Sequence, residues 1–276
     1  MNYRHAYHAG NFADVVKHLA LVAILLHLRR KEAPFAVIDT HAGRGIYDLR
    51  GAEAAATGEA ANGIGRLGDV TADGALGEYL SLARGRDLYP GSPSIAAALL
   101  RPQDRLVAIE KHPEDAMQLK AVLASHAQAR VEEADGYARL AALLPPKERR
   151  GLVLIDPPFE SPDEFDAMAQ ALRAALKRFA NGMYALWFPI KSQAEANAFC
   201  GEILNAGAKK ALRIDIDLGA AARTPGEKER LAAAGLIVVN PPFGLAEEMR
   251  ADLARIAPLL AGTARAEVRW LAGEGA

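Results

Sequence analysis

Five short, nearly unbroken apolar runs, at 35–38, 106–109, 129–131, 152–155 and 183–188, do most to constrain the fold of this chain. Continuous apolarity in so short a run means a strand buried on both faces. Such strands, separated by helix-sized segments, predict an α/β fold with a parallel sheet between helices. The last third changes character. Leu212, Ile214, Ile216 and Leu218 alternate with Arg213, Asp215 and Asp217, and Val268 and Trp270 alternate with Glu267 and Arg269. That period of two predicts antiparallel or edge strands near the C-terminus.

Ahead of the first strand, Phe12, Val15, Val16, Leu19, Val22, Ala23 and Leu26 recur at helical spacing, with Asn11, Asp14, Lys17 and His18 on the other side. This predicts an amphipathic helix ending before Pro34, with Asn11 as its N-cap and Asp14 in its first turn. Residues 48–92 break the strand–helix alternation with a Gly- and Ala-rich stretch and a short helical run. They read as a helical insertion into a domain made of 1–47 and 93–276. The small, charged loop 219–230, centred on Thr224-Pro225-Gly226, reads as a lid.

With 276 residues, 51% hydrophobic and 24% charged, the chain can bury a sizeable core and is not disordered. The longest apolar stretch, 19–26, is far short of the roughly 20 residues a membrane-spanning helix needs, so no membrane partner is expected. One cysteine, Cys200, closes no internal disulfide, and the N-terminus lacks a secretory pattern; a cytoplasmic monomer is expected. A net charge of −1 argues against a generic polyanion binder. Within 1–31, however, Arg4, Lys17, Arg29, Arg30 and Lys31 face only Asp14. That segment is either the start of a nucleic-acid face or a solvated helix flank.

The first apolar run leads into Asp39-Thr40-His41-Ala42-Gly43-Arg44-Gly45, a glycine turn at the carboxyl end of a strand, where open α/β sheets bind ligands. An ordinary tight turn would look the same. Glu110, closing the second strand, is the candidate for ribose hydroxyls. Its distance from the glycines becomes the usual ~20 residues once the insertion is removed. Asp135-Gly136 follows the third strand, where the Asp135 carboxylate can accept from an adenine amino group. The third glycine of the dinucleotide fingerprint and the Walker lysine are both absent, so neither NAD nor ATP is favoured. A nucleoside without pyrophosphate, such as S-adenosylmethionine, needs only the features present.

The strongest signal is Asp156-Pro157-Pro158-Phe159, directly after the run 152–155. A planar amino group is a poor nucleophile because its lone pair is delocalised. The Asp156 carboxylate and the Pro157 carbonyl can each accept one N–H and aim the lone pair at a methyl sulfonium. The prolines stiffen that corner, and Phe159 offers an apolar face to a flipped base, worth about 1–3 kcal/mol. A second copy, Asn240-Pro241-Pro242-Phe243, lies in the antiparallel region and reads as structural. The opening Tyr3-Arg4-His5-Ala6-Tyr7-His8 interleaves aromatic and basic groups, which suits an unstacked RNA strand. His5 and His8 lack a carboxylate or cysteine to complete a metal site, so no metal is expected.

Tyr3-Arg4-His5, His8-Ala9-Gly10-Asn11, Ala13-Asp14-Val15, Lys17-His18, Asp39-Thr40-His41-Ala42-Gly43, Tyr89-Pro90-Gly91-Ser92-Pro93, Ala134-Asp135-Gly136, the Asp156 motif, Tyr184-Ala185-Leu186-Trp187 and Asn240-Pro241-Pro242 together resemble the bacterial large-subunit ribosomal RNA methyltransferase J family. The resemblance spans nearly the whole chain. It implies a Rossmann-like methyltransferase fold with a helical insertion, acting on N6 of an adenine in 23S rRNA with S-adenosylmethionine as donor. By position it implies cofactor contacts at His18, His41, Ser92, Glu110, Asp135, Gly136 and Asp156, a substrate-side role at Tyr3, and Asp156 as the catalytic residue. Spacing alone nominates neither the two histidines nor Ser92. Phe159 and Phe243 stand where the family usually has tyrosine and tryptophan. The rival readings are a protein glutamine-amide methyltransferase, a non-catalytic RNA-binding or assembly protein, and a nicotinamide dehydrogenase.

Overall fold

The computed structural model describes residues 5–84, 87–219 and 231–274. Tyr3, Arg4 and nearly all of the expected lid lie outside the described residues. In chain order the strands are β1 (Ala36–Asp39), β2 (Ile46–Asp48), β3 (Leu88–Pro90), β4 (Arg105–Glu110), β5 (Ala129–Glu133), β6 (Gly151–Ile155), β7 (Met183–Pro189), β8 (Ala211–Asp217), β9 (Ala233–Val239) and β10 (Arg265–Ala272). The helices are α1 (Phe12–Arg29), α2 (Ala52–Thr57), α3 (Gly74–Ala83), α4 (Ser92–Leu99), α5 (Pro113–Val122), α6 (Gly136–Leu143), α7 (Glu164–Arg178), α8 (Gln193–Asn205) and α9 (Leu245–Leu260).

Among the described residues, eight strands form one sheet in the order β10-β8-β9-β7-β6-β1-β4-β5. The run from β5 through β4, β1 and β6 to β7 is parallel, whereas β9 is antiparallel to both β7 and β8, and β10 to β8. The C-terminal alternation at 212–218 and 268–270 thus produces antiparallel strands, as expected. The chain moves outward from β1 to β5 and then returns to β6 on the other side. This switch opens a crevice beyond the carboxyl ends of β1, β4 and β6.

One strand departs from its expected burial. β5 is only half-buried, because it is the sheet edge and has β4 as its single neighbour. β1 and β6, by contrast, are buried along their whole length.

Helix α1 also departs from expectation. Asn11 caps it as predicted, its side-chain oxygen accepting from the backbone N–H groups of Ala13 and Asp14. The predicted polar side, however, is not in water: Asp14, Lys17 and His18 are 2%, 4% and 1% exposed. Ala20, Leu21, Ile24 and Leu25 make the helix apolar on every side, and α3, α4, α9 and β9 surround it. Its polar residues are therefore turned inward. The exposed Arg29, Arg30 and Lys31 sit at the far end, about 18 Å along the helix axis from Lys17 at 1.5 Å per residue. Lys17 and the basic cluster 29–31 consequently do not form one face.

After β1, β2 pairs antiparallel with β3 in a separate two-stranded sheet, and the chain between them holds α2 and α3. Ile64, Leu67, Leu76, Tyr79 and Leu80 from this segment join α1 in one continuous buried cluster. No helix among the described residues is long and apolar enough to cross a membrane.

Candidate active site

A cavity of about 530 Å³ opens at the carboxyl ends of the parallel strands. His18, His41, Ser92, Glu110, Asp135, Gly136 and Asp156 all line it. Six separate elements therefore converge here: α1, the turns after β1, β4, β5 and β6, and the N-terminus of α4.

The glycine turn is built on close approach. Gly43 has φ +63, and a Cβ there would fall 2.2 Å from the Tyr47 hydroxyl. Its N–H donates to Glu110 Oε2 at 2.8 Å, while Glu110 Oε1 accepts from His112 N at 2.7 Å. Burial raises the Glu110 pKa, and these backbone donors oppose the rise. A Cβ at Gly136 would lie 2.1 Å from the Thr40 carbonyl oxygen, so no larger residue fits between the β1 turn and α6. Asp135 caps α6 through Ala138 N at 3.1 Å and accepts from Lys111 Nζ at 2.9 Å, a bond that holds its carboxyl below the usual range.

Asp39, which sequence reasoning left unassigned, anchors the floor. It accepts from Ser92 Oγ at 2.7 Å and from His41 N at 3.3 Å, and burial pushes its carboxyl up to about 7. Ser92 is thus held by a carboxylate beneath it; the helix cap at this point is Gly91.

Asp156 sits at the end of a buried charge row. Lys17 Nζ donates both to Asp156 Oδ2 and to Asp14 Oδ1, the latter at 2.7 Å. Asp14 Oδ2 in turn accepts from His5 Nε2 at 3.0 Å and from Gly10 N at 2.9 Å. Burial acts to raise the Asp14 carboxyl, but the charges of His5 and Lys17 overcome it and hold the group well below the usual range. Burial acts to lower Lys17, but the two carboxylates raise it above its ordinary value, so it stays charged. Oδ1 of Asp156 has no hydrogen-bond partner among the described residues, leaving an acceptor at the cavity wall.

Residues 32–272 match the model of the family described as "Ribosomal RNA large subunit methyltransferase D, RlmJ". The chain belongs to this family. It is 38% identical to ribosomal RNA large subunit methyltransferase J of Escherichia coli K12, over 99% of this chain and all of that protein. The Haemophilus influenzae protein of the same name is equally similar, again at 38% over 99% of this chain and all of that one. A crystal structure from Legionella pneumophila superimposes with a TM-score of 0.87 at 31% identity, covering 97% of this chain and 99% of that one. A probable spermidine synthase from Corynebacterium glutamicum shares the fold alone, with a TM-score of 0.50 at 12% identity over 93% of this chain and 75% of that one.

Within this methyltransferase, the aromatic residues are not all where the motif reading places them. Phe159 does not line the cavity. Its ring is half-buried and edge-on to Phe165 at 5.1 Å and Trp187 at 5.8 Å, and its φ is +51. Tyr137 and Tyr47 do line the cavity. Tyr137 is edge-on to His41 at 5.0 Å and donates to Glu164 Oε1 at 2.6 Å. Asn240 lies at the opposite end of the sheet, because β9 runs antiparallel. Its side-chain amide donates to the Ala180 and Gly182 carbonyls at 2.9 and 2.8 Å, which fits the structural reading of its motif.

The two cavity histidines are neutral. Burial lowers His18 to about 3 and His41 to about 4, from an ordinary 6.5. The unfolded chain therefore takes up protons that the folded imidazoles refuse. Their stabilising contribution is complete above pH 6.5 and is lost as pH falls toward those values. Urea titrations at stepped pH between 7 and 5 are expected to show a falling midpoint. His18→Gln and His41→Gln should each flatten that slope; an unchanged slope in both would mean that the imidazoles titrate normally.

Proposed function

We propose that this methyltransferase moves a methyl group from S-adenosylmethionine to N6 of an adenine in 23S rRNA, with Asp156 as the catalytic residue. The supporting observation is the unpartnered Asp156 Oδ1 in the same cavity as the Glu110 and Asp135 carboxylates. The cavity suits an adenosyl cofactor. Backbone approaches closely at Gly43 and Gly136, Glu110 stands where ribose hydroxyls would donate, and Asp135 stands where an adenine amino group would. When bound, the cofactor supplies an electrophilic methyl on a sulfonium.

The chain's own residues do the rest. Asp156 Oδ1 accepts one N–H of the target amino group, and the stiff Pro157-Pro158 corner holds that acceptor in place. Lys17, bonded to Oδ2, fixes the rotation of the carboxylate. The proton released from N6 after transfer passes to Asp156 or to water beside it. Tyr3 is assigned to the substrate side by family position and Phe159 by its motif; within the cavity itself, the half-buried Tyr137 supplies an aromatic face.

Incubating the protein with tritiated S-adenosylmethionine and deproteinised 23S rRNA, then digesting to nucleosides, is expected to yield labelled N6-methyladenosine. Label found only in protein would replace the base with a glutamine amide as the acceptor. Cofactor binding without label in either would point to an RNA-binding protein that has lost turnover.

A further inference from the structure

The segment between β2 and β3 reaches the cofactor end of the cavity through two buried tyrosines. Tyr79 on α3 and Tyr89 on β3 are both fully buried, and their hydroxyl oxygens are 3.0 Å apart. Tyr89 Oη is also 2.8 Å from His18 Nδ1. The direction of this chain follows from what each group can do. Tyr79 Oη has no hydrogen-bond partner except Tyr89 among the described residues, and a buried hydroxyl proton without an acceptor is strongly disfavoured. Tyr79 therefore donates to Tyr89. Tyr89, with that lone pair engaged, gives its own proton to His18 Nδ1.

A neutral imidazole has one N–H, and with Nδ1 accepting it must be on Nε2. His18 is buried and neutral, and it lines the cavity; its Nε2 has no partner among the described residues. We propose that Tyr89, oriented by Tyr79, sets the tautomer of His18 so that its Nε2–H serves as a donor for the carboxylate of the adenosyl cofactor. This rests on the cofactor reading given above. With Glu110 and Asp135 assigned to ribose and adenine, the carboxylate is the one anionic group of the cofactor left to place. The His18 donor and the adjacent Lys17 cation are the complementary wall. Tyr79 and Tyr89 are positioning residues and touch no reacting atom.

Ring-nitrogen NMR spectra of ¹⁵N-histidine-labelled protein at pH 7.5, with His18 assigned by its loss in His18→Gln, are expected to show the Nε2–H tautomer. Tyr89→Phe should shift that signal toward the other tautomer and weaken S-adenosylhomocysteine binding roughly tenfold. It should leave 5′-methylthioadenosine, which lacks the amino-acid carboxylate, bound as before. An Nδ1–H tautomer in the unaltered protein would overturn the proposal without recourse to any variant. So would equal weakening of both ligands in Tyr89→Phe, which marks a merely structural tyrosine, or no weakening of either. If the unaltered protein binds neither ligand, the cofactor reading itself fails and takes this proposal with it.

Discussion

Asp156→Ala is expected to lower methyl transfer to RNA by at least about 10³-fold while weakening S-adenosylhomocysteine by less than about tenfold. The two readouts separate because Asp156 stands between two jobs. Its unpartnered Oδ1 faces the cavity, where in the proposed reaction the target amino group donates, whereas Glu110, Asp135 and the Gly43 turn form a wall that survives the substitution. Without the carboxylate the amino lone pair stays delocalised and unaimed, a defect that appears only as the transition state forms. Tritiated-methyl transfer to 23S rRNA and calorimetry with S-adenosylhomocysteine measure the two effects. A variant that keeps turnover within about tenfold of the original would remove Asp156 from the chemistry.

Lys17→Met is expected to destabilise the fold by about 3–5 kcal/mol, the range for breaking a buried ion pair by deleting one partner. Methionine fills nearly the same volume, so packing changes little. What remains is two carboxylates, Asp14 and Asp156, facing a site from which their shared cation has gone. Asp14 is 2% exposed and keeps only His5 and the Gly10 N–H as donors among its described bonds. Urea unfolding should register the loss, and Asp14→Asn introduced into Lys17→Met should recover part of it, since one stranded charge is removed. A loss below about 1 kcal/mol would mean that the row behaves as a solvated surface pair.

Most of the sheet was legible because burial on two faces leaves unbroken apolar runs; of the cavity-lining carboxylates, Glu110 and Asp156 directly follow such a run, whereas Asp135 lies four residues beyond the half-buried run 129–131. Glu110, Asp135 and Asp156 are therefore where strand-end reasoning puts them. Helix α1 was misjudged for a physical reason. A periodicity of apolar residues locates a helix but does not say whether its other side meets water or another part of the chain. The remaining clue was Leu21, Ile24 and Leu25, which leave the helix no wettable face and so imply that Asp14, Lys17 and His18 are paired indoors. Phe159 could not be placed from its motif, because whether a ring after a diproline turns into the cleft or against Phe165 and Trp187 depends on how α7 and β7 pack, which the motif does not encode. The tyrosine contacts of His18 join positions 18, 79 and 89, and no local pattern encodes them.

The reversed direction of β9 has a practical use. It sends the second diproline corner to the pole remote from chemistry, where Phe243 stands 81% exposed. The sole native thiol, Cys200, is buried. Phe243→Cys would thus create a single reachable handle for a fluorophore or a surface tether, at the end of the sheet opposite the cavity.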